Sequence, residues 1–77
     1  MTTLGQLQVG DRAKIIGFAE TDSAYRRKLL TMGLTPGAQI EITRVAPMGD
    51  PVEIRVRGFS LSLRKEEAAA MTVEKTG

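Results

Sequence analysis

Three stretches of the chain alternate apolar and polar residues with the period of a half-buried strand. Gln39-Ile40-Glu41-Ile42-Thr43 alternates cleanly, Val52, Ile54 and Val56 alternate with Glu53, Arg55 and Arg57, and Phe59, Leu61 and Leu63 alternate with Ser60, Ser62 and Arg64. Gly58 breaks the second run from the third, which predicts a hairpin and places Phe59 in the core. Val45 falls out of phase with Ile40 and Ile42, so a bulge is expected near Arg44. The linking segment Pro47-Met48-Gly49-Asp50-Pro51 consists largely of turn formers. Upstream, Arg12 to Phe18 reads as another strand, with Ala13 and Ile15 on one face and Lys14 and Ile16 on the other. Burial of Ile16 and Phe18 then requires a curl of the sheet, for which Gly17 allows the bend, or cover from a helix. Thr72-Val73-Glu74 is the candidate closing strand, preceded by a very short helix-favouring run from Arg64 to Met71.

One segment breaks the strand periodicity. In Tyr25 to Met32 a helical advance of about 100° per residue puts Tyr25, Leu29 and Met32 on one face and turns Arg26 and Arg27 away from it. Thr21-Asp22-Ser23 offers cap oxygens for the start of this helix, with Asp22 favoured. Gly33 suits the left-handed position just past a helix end, and Leu34 can then fold back onto the last turn. Thr35 precedes proline and is pushed toward extended backbone, while Pro36-Gly37 fits the centre of a type II turn. At the start of the chain, Thr3 is a candidate cap for a brief turn carrying Leu4 and Leu7, and Val9-Gly10-Asp11 reads as the turn into the first strand. Four or five short strands with one inserted helix predict a small, mainly antiparallel barrel, because closing a sheet removes its edges. The pattern does not separate an SH3-like from an OB-like barrel.

Seventy-seven residues suffice for a single domain, 1–77, without a deep catalytic cleft. The chain has no Cys and no His, which removes disulfides, thiolate nucleophiles, zinc-finger sites and the usual general base at neutral pH. No GxxxxGK[ST] phosphate loop occurs, so nucleotide hydrolysis is excluded from this chain and no cofactor is expected. The start MTTLGQLQVG lacks a signal-peptide pattern, and no run approaches the about 20 apolar residues of a membrane span, so a soluble, cytoplasmic protein without direct membrane insertion is expected. A formal charge of +2 and a pI near 9.4 favour an acidic partner or an anionic surface without demanding nucleic acid.

The central MGLTPG, entered from a basic-leucine helix and left through Ile40 and Ile42, resembles the signature of the FeoA family, small cytosolic proteins of bacterial ferrous iron uptake. The resemblance extends over nearly the whole chain, through LGQLQVGDRAKIIGF, RRKLLTMGLTPG and LRKEEAAAMTV. It implies a barrel like an SH3 domain, a structural motif of Met32, Gly33, Leu34, Pro36 and Gly37, and a non-enzymatic role in binding and regulating FeoB, the membrane GTPase transporter.

The residues themselves suggest where such a partner would sit. Arg26-Arg27-Lys28 is in the simplest case a solvated helix face, and Leu30, about 100° from Leu29, either widens the buried stripe or stands exposed among arginines as an anchor. Met48 is an apolar loop residue without an evident core partner, merely tolerated there or an adaptable contact. Arg55, Arg57 and Arg64 are expected to share a face of the last hairpin, as solubilising charge or as a basic patch. Of the metal-competent groups, Glu20 with Asp22 and Glu66 with Glu67 are carboxylate pairs better suited to caps and solvated charge, and ferrous iron usually recruits imidazole or thiolate as well. No metal site is therefore expected. A nucleic-acid-binding or transcription-linked barrel is the alternative, weakened because Phe18, Tyr25 and Phe59 are the only aromatics and Phe18 and Phe59 are assigned to the core. A receptor for proline-rich peptide is disfavoured by the absence of tryptophan.

Overall fold

The structure, a computed structural model, describes residues 2–19 and 23–77, with Tyr25 described in its backbone alone. In chain order it comprises β1 (Thr2–Thr3), a 3-10 turn (Leu4–Gln6), β2 (Arg12–Phe18), α1 (Ser23–Thr31), β3 (Gln39–Val45), a second 3-10 turn (Pro47–Gly49), β4 (Val52–Val56), β5 (Phe59–Leu63), α2 (Lys65–Ala69) and β6 (Met71–Lys75). The strands form one six-stranded antiparallel sheet in the order β1-β6-β2-β3-β4-β5. The mainly β expectation holds, with six strands in place of four or five because Thr2 and Thr3 pair with Val73 and Thr72. At the adjoining turn the side chain of Gln6 reaches back, accepting from the Thr3 amide at 3.0 Å.

Ala13, Ile15, Ile40, Ile42, Val52, Ile54, Val56, Leu63, Met71 and Val73 point into one core, roofed by Leu29 and Leu34 from the α1 region and by Leu4 and Ala68. The register explains the phase breaks seen in the sequence. Between Ile42↔Ile54 and Arg44↔Glu53 the pairing slips by one residue, and Thr43, the extra residue, donates its hydroxyl to the Glu53 carbonyl at 3.2 Å. Val45 thereby returns to the core side, opposite Val52. A second slip lies between Ile15 and Gly17 and corrects the reading of β2. Phe18 is restored to the inner face, opposite Met71, while Ile16 is the bulged residue and stands 38% exposed instead of being buried by a curl or a helix.

Phe59 is a second correction, being 69% exposed. Its phase is as expected, on the same face as Leu61 and Leu63, but burial fades along β5 from Leu63 through Leu61 to Phe59. Among the described residues edge strand β5 has no neighbour beyond it, and its first residue projects past the core's cover.

The end of α1 follows its local chemistry closely. The Leu34 amide donates to the Leu29 carbonyl at 3.2 Å and the Gly33 amide to the Leu30 carbonyl at 3.0 Å, the paired bonds of a Schellman motif, with Gly33 at φ +89°. Leu34 is consequently buried. The Ala38 amide then donates to the Thr35 carbonyl at 3.0 Å, closing the Pro36-Gly37 turn with Gly37 at φ +92°. Met32, the last residue of the proposed apolar stripe, is half-buried against the core, whereas the side chain of Tyr25 and the candidate cap Asp22 lie outside the described residues. Asp11 ends its turn as read, accepting from the Gln8 amide at 2.8 Å and pairing with Lys75 at 3.3 Å. The amide bond, ahead of the lysine, holds its carboxyl below the ordinary value.

Candidate functional site

Helix α1 is inserted between β2 and β3 and presents two distinct faces. Leu29 is fully buried, and Lys28 reaches across to α2, its ammonium 2.8 Å from the Glu67 carboxylate. Glu67 is itself buried and also accepts from the Arg64 amide at 2.7 Å, so it caps α2 and pins α1 at once. Burial pushes its carboxyl up, but the Lys28 ammonium and the Arg64 amide outweigh burial and hold it below its ordinary value. Lys28 therefore belongs to the scaffold, and the basic triplet of the sequence divides. Arg26 and Arg27 remain exposed, and Leu30, 38% exposed, stands one turn along the helix from both. The arrangement is a small apolar contact flanked by two guanidinium groups, competent for recognition.

Met48 is not part of this patch. It occupies the 3-10 turn that follows β3, and β3 carries the chain away from the Pro36-Gly37 turn over about 20 Å of strand. There Met48 is 92% exposed on a left-handed backbone, φ +75°. An L-residue in that conformation costs about 1–2 kcal/mol, so the turn holds the methionine outward against a local preference.

The three arginines expected to share a hairpin face are also separated. Arg55 and Arg57 line an open cleft of about 240 Å³ together with Arg12, Gln39, Ile40 and Glu41, whereas Arg64 lies past the far end of β5 beside Asp50. The length of β5 comes between them. Arg57 donates to the Thr35 hydroxyl at 2.9 Å, which ties the β4–β5 turn to the loop leaving α1. Arg12 escaped the sequence reading because its place depends on register: Arg12 pairs with Glu41 and Glu41 with Arg55, across three strands. The Lys28–Glu67 pair was equally hidden, joining positions remote in sequence. Of the carboxylate pairs, Glu20 with Asp22 lies outside the described residues, and Glu67 is a cap as expected. Among the described residues no group of three or more carboxylates gathers, and no helix is long and apolar enough to cross a membrane.

Comparison with known proteins places these features. The FeoA domain family model matches residues 2–75. A curated relative from Porphyromonas gingivalis, an Fe(2+) transport protein A/Fe(2+) transporter FeoB fusion protein, is 38% identical over 71 residues, covering 92% of this chain. The match spans only 8% of that relative's length. The solution structure of a FeoA-like protein from Clostridium acetobutylicum superposes with a TM-score of 0.87 at 43% identity, over 96% of this chain and 85% of that one. FeoA of Stenotrophomonas maltophilia, described as a procaryotic SH3 domain protein, shares the fold with a TM-score of 0.83 at 23% identity, over 96% and 91% of the two chains. The coiled antiparallel sheet is thus SH3-like, and with its family model matched almost from end to end the chain belongs to the FeoA domain family, associated with ferrous iron transport.

Proposed function

We propose that this chain is a non-enzymatic interaction module of ferrous iron uptake that binds the cytosolic side of a FeoB-type membrane GTPase transporter through the exposed face of α1. The observation that carries the reading is the Porphyromonas gingivalis relative, in which a domain 38% identical to this one is fused to the transporter. Two activities joined in one polypeptide work at high mutual effective concentration, which favours a contact surface between them. Leu30, one turn along α1 from Arg26 and Arg27, is such a surface: an apolar anchor desolvated on contact, beside arginines that steer the encounter with an acidic partner.

The test is binding of the isolated cytosolic domain of a FeoB transporter to wild type and variants, with folding monitored by circular dichroism. Leu30→Ala is expected to weaken binding by about tenfold or more, in the range of an interface anchor. Arg26→Ala and Arg27→Ala are expected to act more mildly, chiefly at low salt, since rim charges are screened over about 8 Å at physiological ionic strength. A folded Leu30→Ala that binds normally refutes α1 as the contact. Duplex DNA and single-stranded RNA titrated in parallel distinguish the alternative of a nucleic-acid-binding barrel.

A further inference from the structure

We propose that the free edge of β5 is a second docking surface, separate from α1, which receives by strand addition an extended segment of a partner protein that carries carboxylates beside Phe59. The backbone supplies the first argument. Val56↔Phe59, Ile54↔Leu61 and Val52↔Leu63 are the pairs that face β4 across a two-residue turn. In such a hairpin these pairs exchange the ladder hydrogen bonds, and the residues between them turn their N–H and C=O groups the other way. Ser60 and Ser62 therefore direct both backbone groups to the open side, and among the described residues neither has a hydrogen-bond partner there.

Edges of this kind are normally blunted by lysine, proline, bulges or a covering element. Phe59-Ser60-Leu61-Ser62-Leu63 carries no charge and no proline, its pairing with β4 runs without a register slip, and both serines are exposed. The bulges of this sheet are in β2 and β3 instead. Phe59 adds an exposed ring at the start of the strand.

Charge selects the occupant. Beside the first residues of β5 stand Arg57 and Arg55, with Arg12 in the same cleft and Glu41 the one carboxylate among its lining residues. Beyond the last residue stand Arg64 and Lys65, offset by exposed Glu66, by Asp50, which accepts from the Lys65 amide at 3.2 Å, and by Glu53, which faces Ser62 from β4. The end at Phe59 is thus net basic while acids offset bases at the other, which suits a β-prone segment whose carboxylates lie where it passes Phe59 and Arg57. A second copy of this chain fits less well. An antiparallel two-fold pairing that uses both serines centres on Leu61 and sets Arg57 opposite Lys65 of the other copy, a like-charge pair.

The probe is a short fluorescent peptide of alternating valine and threonine with a pair of glutamates at each end, titrated at low salt. Saturable binding is expected, at least about tenfold tighter than for the same peptide flanked by lysines. Ser62→Pro removes an outward N–H without touching a ladder bond, a substitution that edge strands tolerate. It should stay folded and weaken the glutamate peptide by about tenfold or more, while Ser62→Ala, which keeps the amide, binds as wild type. Should Ser62→Pro fail to fold, Ser60→Pro serves the same purpose. Leu30→Ala leaves this binding unchanged if the two surfaces are independent. Absent binding, equal binding of the lysine-flanked peptide, or a folded proline variant that binds normally overturns the proposal. So does a concentration-dependent dimer in sedimentation that the proline variant abolishes, which assigns the edge to a second copy.

Discussion

Replacing Gly33 by alanine isolates a single physical term. A Cβ built on Gly33 meets no heavy atom within 4 Å, so the substitution creates no clash and removes no packing. What it changes is the conformational cost of φ +89°, which an L-residue bears at about 1–2 kcal/mol. Neither Schellman hydrogen bond is removed, because both are donated by backbone amides. The expected loss is therefore about 1 kcal/mol or somewhat more, or roughly 4–8 °C in Tm for each kcal/mol in a domain of this size. Thermal and urea unfolding followed by circular dichroism measure it. Gly17→Ala is the control, since a methyl there also meets nothing within 4 Å and φ lies outside the left-handed region. Chemical synthesis supplies a sharper one: D-alanine at position 33 prefers the observed backbone and should match or exceed glycine in stability. Equal midpoints for glycine and L-alanine at this position, or equal effects of the two alanine enantiomers, refute the reasoning.

The remaining predictions rest on other parts of the molecule. Leu29→Ala removes a fully buried side chain and should cost about 2–5 kcal/mol in urea unfolding, against less than about 1 kcal/mol for the partly exposed Leu30→Ala. Lys28→Met leaves the buried Glu67 carboxylate with the Arg64 amide but no ammonium and should cost about 1–2 kcal/mol, a moderate figure because the lysine is 60% exposed. Because the Glu67 carboxyl is held below its ordinary value of 4.5, its stabilising contribution is complete above that pH and is lost as pH falls through the depressed folded value. Asp11, held below 3.8, acts in the same direction at lower pH. Glu67→Gln should accordingly flatten the acid limb of a stability-versus-pH curve. Calorimetry with ferrous iron should show only weak binding without defined stoichiometry, because the chain has neither His nor Cys; one tight site per chain contradicts this.

Local signals carried much of the fold into the sequence. Gly33, Leu34, Pro36 and Gly37 write their own turn, because a positive φ and a fixed φ are properties of individual residues. The bulge at Thr43 was visible too, since a slip of one residue moves Val45 to the other phase. Less legible was whatever depends on where a strand lies in the sheet. Phe59 has the periodicity of a core residue and fails to be one only because β5 is an edge. Ile16 is exposed because of a bulge whose evidence is the pairing with β6, more than fifty residues downstream. The candidate site divides the same way. That Leu30 lies about 100° from Leu29 follows from helical geometry, whereas its exposure, the loss of Lys28 to Glu67 and the arrival of Arg12 beside Arg55 are tertiary facts.

The pairing of β6 also sets how the molecule reaches its native state. Val73 stands opposite both Thr2 and Ile15, contacts between residues separated by most of the chain. Closing such a span costs chain entropy before any native contact returns it, so folding belongs to the millisecond-to-second range of non-local β topologies. The β4–β5 hairpin, joined by two residues, can form in about 1–10 μs, long before β6 pairs, although two strands alone are only marginally stable. Whenever it forms in that interval, its outer edge is open while the rest of the sheet is not yet in place. An edge left open before the sheet is complete is where incomplete chains are most exposed to non-native strand pairing, and refolding yield should fall with protein concentration more steeply for wild type than for an edge-proline variant.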